Sequence, residues 1–143
     1  MARSEFNFAF PIRVRCSEVD AQGVVFNAHY LTFFDTAITE YFRALPYDYS
    51  GQVKETGTDF HVVKSLVEYH RAIPFDAEID VLCRAARLGM SSIKFALEIH
   101  PTRIDQAFCS GEIVWVNVDT KTNKPCRVRD LLRDKINAFE THG

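Results

Sequence analysis

The sequence predicts an α+β domain, in which an antiparallel sheet of about five strands wraps around one long central helix. Three observations predict it. One segment of the 143-residue chain, residues 30–45, repeats its apolar residues at intervals of three and four. One strand-like segment precedes it and four follow it. The apolar stripe of the helical segment is also so wide that the helix needs a sheet around it.

Residues 6–16 read as the first strand. Phe6, Phe8 and Phe10 alternate with polar or small residues, and Ile12 and Val14 keep the phase. Pro11 lacks an amide donor, which places the strand at a sheet edge or breaks it there. Residues 17–23 carry two acids and a glycine, the composition of a turn. In residues 30–45 the stripe is Tyr30, Phe33, Phe34, Ala37, Ile38, Tyr41, Phe42 and Leu45, opposite a narrower face that includes Thr32, Asp35 and Arg43. Asn27 is the expected N-cap and Pro46 the stop. Residues 47–58 are polar and read as loop. Residues 60–69, 78–85, 92–99 and 107–118 read as strands, with a hairpin turn at Leu88-Gly89-Met90. Ile113-Val-Trp-Val is apolar on both faces, as a covered central strand is. Residues 119–124 are a polar turn, and residues 128–139 a short terminal helix.

Hydrophobic residues at 47% and charged residues at 25% describe an ordinary folded domain. The length fits a single domain spanning 1–143. Twelve phenylalanines predict an aromatic core with rings to spare for a pocket or a subunit interface. The formal charge of -2, from 17 Lys+Arg against 19 Asp+Glu, argues against a broad nucleic-acid-binding face. No apolar run approaches the ~18 residues of a membrane span, and the start lacks the pattern of a secretory signal. Cys16, Cys83, Cys109 and Cys126 have no CxxC spacing and are expected as free thiols in a cytoplasmic protein.

The chemically informative stretch is Asp20-Ala-Gln-Gly-Val-Val-Phe-Asn-Ala-His-Tyr. Two readings of Asp20 stand. It closes a turn by accepting from nearby backbone amides, or it is a carboxylate held beside the positive, amide-bearing end of the long helix. The second arrangement suits thioester cleavage. Helix N-terminal amides stabilise the oxyanion of a tetrahedral intermediate. The thiolate leaving group, with a pKa of about 8.5, needs no strong acid. One carboxylate, as nucleophile or as base for water, is enough.

This stretch, followed by Leu-Thr-Phe-Phe-Asp-Thr-Ala, resembles the signature of the 4-hydroxybenzoyl-CoA thioesterase-type hotdog-fold proteins. The resemblance continues through Glu68-Tyr-His-Arg-Ala-Ile-Pro-Phe-Asp-Ala-Glu-Ile and, by element order, covers roughly residues 6–130. It implies a hotdog fold and an acyl-CoA thioesterase, with Asp20 as the catalytic carboxylate. The Asn27 backbone amide would polarise the thioester carbonyl, and Gly23 would let the backbone approach closely. Substrate contacts are expected at Gly23, Val25, Phe26, His29 and Tyr30. The Arg87–Ser92 stretch is either a solvated turn or, as the resemblance implies, a contact for CoA through Arg87, Ser91 and Ser92. Sites between two protomers are implied, hence a homodimer or a dimer of dimers. Val19 and Phe26 depart from the usual family residues, which bears on the acyl group rather than on the reaction.

No metal or cofactor is expected, since His61, His70, His100 and His142 have no ligand spacing. His29, in the first helical turn, reads either as a base competing with Asp20 or as a cap-region or interface histidine. Arg127, Arg129 and Arg133 read as surface charge or as contacts for nucleotide phosphates. Two other functions stay open: a hotdog dehydratase or hydratase, which needs a His–carboxylate pair, and a non-catalytic acyl-thioester-binding protein.

Overall fold

The computed structural model describes residues 2–142, with the side chain of His142 outside the described set. Five strands form one antiparallel sheet: β1 (Ala9–Arg13), β2 (Thr58–Tyr69), β3 (Glu78–Leu88), β4 (Ser92–Pro101) and β5 (Cys109–Asp119). Their order is β1-β3-β4-β5-β2, so β1 and β2 are the edges. Helix α1 (His29–Ala44) crosses one face, and its residues Phe33, Phe34, Ala37, Ile38, Tyr41 and Phe42 are fully buried there. This is the expected hotdog architecture.

Two features explain why the helix fits so closely. The odd residues Ile93, Phe95, Leu97 and Ile99 of β4 point into the helix and are all buried, as a period of two requires. On the adjacent β5, a Cβ at Gly111 would lie 2.4 Å from the ring of Phe34, so the helix and sheet approach only because that position has no side chain.

Several expectations are corrected. The first strand is only Ala9–Arg13, because an Arg3–Asp80 ion pair and bonds from Arg3 to the Pro101 and Ile104 carbonyls draw the N-terminal segment across the outer sheet face before the chain enters the sheet. Pro11 does sit on an edge strand, opposite Asp80. The 47–58 loop contains a short helix, α2 (Gln52–Thr56), pinned by Gln52, whose amide bonds Asn117 at 2.9 Å and whose oxygen accepts from the Tyr47 hydroxyl. The terminal helix α3 (Asp130–His142) starts two residues later than expected. It belongs to the core, burying Leu132 and Ile136 and setting Phe139 edge-on against Tyr41 at 5.3 Å. The outward face of β3 and β4 also holds buried polar side chains. Asp80, Glu98 and His100 are buried there, with His100 Nε2 2.8 Å from Glu98 and the Gln106 amide donating to His100 Nδ1.

Candidate active site

The site is built by residues 15–30 and the end of β2. A 3₁₀ turn at Cys16–Glu18 opens it. Glu18 accepts from the Arg15 backbone amide at 2.7 Å and from its guanidinium at 2.9 Å. Burial pushes the Glu18 carboxyl up, but the Arg15 bonds outweigh it and hold the group below the usual carboxylate range. The Glu18 carbonyl then accepts the Phe26 amide at 2.9 Å and ties the far side of the loop back. In between, the Asp20 amide donates to the Val24 carbonyl and the Gly23 amide to the Asp20 carbonyl, a tight reversal. Gly23 takes φ +77 at its tip, where a side chain would be strained. Val24 bridges to Pro74, and the Val25 amide donates to the Ile73 carbonyl at 2.8 Å. The loop is therefore fixed against the segment that follows β2.

Asp20 does close the turn, and the closure does not use the whole carboxylate. Its Oδ1 accepts the Gln22 amide at 2.8 Å, closing the turn. Its other oxygen has no partner among the described residues, and the side chain is solvent-exposed. The turn bond thus orients the carboxylate and leaves half of it available.

The helix start supplies the opposite charge. Asn27 is not the N-cap. The capping position is Ala28, and among the described residues no side chain caps the first turn of α1. The Phe26 carbonyl accepts the His29 amide at 2.9 Å, and the Asn27 carbonyl accepts the Tyr30 amide at 3.4 Å. Both carbonyls thus point into the helix. In a trans peptide the next N–H points the other way, so the amides of Asn27 and Ala28 face out of the helix end. Neither donates to an acceptor among the described residues. The macrodipole of the 16-residue helix adds positive potential at this end.

Asp20 and Asn27 share a cleft of about 390 Å³, lined also by Val25, Phe26, Tyr30, Tyr69, His70 and Arg71. Of the residues expected at the site, Asp20, Val25, Phe26, Asn27 and Tyr30 meet here. Burial pushes the Tyr30 phenol up, so it stays a neutral hydroxyl. Gly23 shapes the turn rather than the wall. The His29 ring lies edge-on to Phe26 at 6.1 Å, beside the cleft rather than in its wall. Arg87, Ser91 and Ser92 are at the other end of the sheet, since Ser92 pairs with Val116 whereas Ile99 pairs with Cys109, which in turn faces Tyr69. Seven residues of β4 separate the two levels, roughly 23 Å at ~3.3 Å per residue. One chain does not bring the hairpin to the cleft.

Sequence reasoning missed Tyr69, His70 and Arg71 as wall residues. The Tyr69 hydroxyl donates to the Asn27 carbonyl at 3.3 Å, and its ring stands edge-on against Tyr30 at 4.8 Å. His70 Nε2 lies 2.9 Å from the Ser110 hydroxyl, and the Arg71 guanidinium sits over the Phe108 ring at 4.5 Å. Their signal was present in the Glu68-Tyr-His-Arg run, but the ties of Val24 to Pro74 and of Val25 to Ile73 are what fold that run onto the loop. Cys109, across the ladder from Tyr69, is not a nucleophile. Burial pushes its thiol up to about 12. Among the described residues no three His, Cys, Asp or Glu side chains converge as metal ligands, and no helix is long and apolar enough to cross a membrane.

Comparison with known proteins bears on the family to which this fold belongs. The model of the thioesterase-like superfamily matches residues 14–136, most of the chain and the whole of the site. The chain belongs to this superfamily. The acyl-CoA thioesterase YbgC of Haemophilus influenzae is 34% identical over 88 residues, covering 62% of this chain and 65% of that protein. The acyl-CoA thioester hydrolase YbgC of Escherichia coli is 29% identical over 121 residues, 82% of this chain and 87% of that protein. A Thermus thermophilus thioesterase solved with coenzyme A and zinc superimposes with a TM-score of 0.81 at 25% identity, covering 97% of this chain and 98% of that one. As a member of the thioesterase-like superfamily, the chain meets the expectation of a thioester hydrolase at the level of the family.

Proposed function

We propose that this chain is a single-domain acyl-CoA thioesterase of the cytoplasm that hydrolyses its substrate to a carboxylic acid and free CoA. One observation carries the reading. Asp20, whose carboxylate has an unengaged oxygen, and Asn27, whose amide at the helix end is unengaged among the described residues, line the same solvent-open cleft. The substrate carbonyl oxygen accepts from the Asn27 amide, with the Ala28 amide beside it, and these donors bind the oxyanion more tightly than the ground-state carbonyl. Asp20 attacks the carbonyl carbon directly or draws a proton from the attacking water. The CoA thiolate leaves without an acid. The named activities of the YbgC relatives and of the thioesterase solved with coenzyme A support the choice of carrier.

The acting unit in this proposal is a homodimer, alone or paired into a dimer of dimers. Strand β2 is a 12-residue edge that exposes Val62 at 57%, Val63 at 60% and Leu66 at 42%, an edge that calls for a partner strand. Antiparallel pairing of β2 with its copy sets the Thr58 end of one strand beside the Tyr69 end of the other. The partner's β3–β4 hairpin then lies at the level of the cleft, about 14 Å from this chain's β2 across three strand spacings. That is how Arg87, Ser91 and Ser92, remote in one chain, reach the CoA arm.

The test is free-thiol release from a panel of acyl-CoAs that varies in chain length and includes aromatic acyl groups. Turnover of at least one class supports the reading. Hydration of an enoyl-CoA without thiol release, or binding without turnover across the panel, contradicts it.

A further inference from the structure

The start of α1 has an unusual requirement. Helices commonly secure their first turn with a Ser, Thr, Asp or Asn side chain that accepts from the amides there. Here, among the described residues, no side chain does so, and the amides of Asn27 and Ala28 have no acceptor. A helix end that must receive a developing oxyanion loses donors to any such cap. The turn therefore has to be held by other groups, and its carbonyls are what remain.

We infer that Tyr69 is a positioning residue that holds the Asn27–Ala28 peptide from its carbonyl side and so orients the free Ala28 amide beside that of Asn27. The inference rests on the proposal that these amides bind the thioester carbonyl. Among the described residues the Asn27 carbonyl accepts a long 3.4 Å bond from the Tyr30 amide and the 3.3 Å bond from the Tyr69 hydroxyl. The second comes from a different element, so it ties the turn to the sheet. Its base is rigid, because Tyr69 closes the β2–β5 ladder opposite Cys109. Its ring is anchored too, edge-on against Tyr30, which is only 3% exposed. The hydroxyl acts electronically as well. An acceptor bond at a peptide oxygen polarises the same peptide, which makes the Ala28 N–H a stronger donor. The bond is longer than the usual O–H···O length of about 2.7–2.8 Å, so it has room to shorten as charge builds on the substrate.

Tyr69→Phe isolates the hydroxyl, because the ring and its packing remain and the residue is half exposed. The expected result is a kcat lowered about three- to tenfold, with KM within twofold, an unchanged melting temperature and faster amide hydrogen exchange at Ala28. Unchanged kcat overturns the inference. So does a raised KM at constant kcat, which makes Tyr69 a simple substrate contact. Asp20→Asn, assayed in parallel, keeps the two readings apart. Full turnover in that variant contradicts the proposed reaction, whereas full turnover in Tyr69→Phe contradicts only the positioning role.

Discussion

At its C-terminal end α1 is locked by ring upon ring. Phe42 stacks on Trp115 with centroids 5.4 Å apart and touches Tyr47, Tyr49, Phe60 and Phe95, while the buried Tyr47–Gln52–Asn117 network braces the following loop. At its N-terminal end the same helix has no side-chain cap, an exposed acid and an exposed Phe26. The larger cavity, about 470 Å³, lies at the locked end, walled by Thr39, Phe42, Arg43, Tyr47 and Asp48. Yet its chemistry has the wrong sign for a thioester carbonyl. The carbonyls of a helix C-terminus repel an oxyanion, and Asp48 is occupied by the Ser50 hydroxyl and the Gly51 amide, which hold its carboxyl below the usual range. Size thus points to one end and chemistry to the other. The locked end has the packing of a core, and the other end has the unpaired polar groups.

Substitutions that separate these roles should fall in order of size. Asp20→Asn is expected to lower kcat about 10²–10⁴-fold with no change in melting temperature, since the variant still accepts the Gln22 amide. A large drop in melting temperature would show that Asp20 belongs to the scaffold. Phe42→Ala should do the reverse, costing about 3–5 kcal/mol in urea unfolding while the folded fraction keeps its kcat. Gly23→Ala forces a side chain into φ +77, at about 1–2 kcal/mol, and should lower activity and stability together because the turn aims Asp20. The smallest effect is expected from Glu18→Gln, of order 1 kcal/mol. The folded Glu18 carboxyl lies below the usual range, so its contribution is complete above about pH 4.3 and disappears as pH falls through the folded value. Wild type and variant should therefore differ in stability at pH 7 and converge in strong acid. Parallel curves would assign the shift elsewhere.

The sequence was most readable where one periodicity decides. The stripe of α1 and the alternation of β4 each report a face pressed on a core, and both elements lie within a residue or two of expectation. Where side chains from distant segments decide, local pattern failed. Arg3 reaching Asp80 shortens β1, Gln52 reaching Asn117 makes α2 out of a polar loop, and the Asn27 side chain gives no sign that it leaves the cap unfilled. The site divides in the same way. Asp20 and the helix start are contiguous and were legible together. Tyr69 joins them through the strand pairing that sets residues 69 and 109 opposite each other and through the Val24–Pro74 bridge, neither of which a one-dimensional pattern encodes. Arg87, Ser91 and Ser92 are legible as a hairpin, but the strand register sets that hairpin at the end of the sheet away from the cleft.

The most direct test is an amide-resolved NMR titration of the ¹⁵N-labelled protein with a non-hydrolysable acyl-CoA analogue whose thioester sulfur is replaced by methylene. The largest shifts are expected at the Asn27 and Ala28 amides, with Asp20 and Gln22 following. Shifts concentrated at Tyr47, Asp48 and Ser50, with Asn27 and Ala28 unmoved, would place the acyl group in the larger cavity and contradict the account.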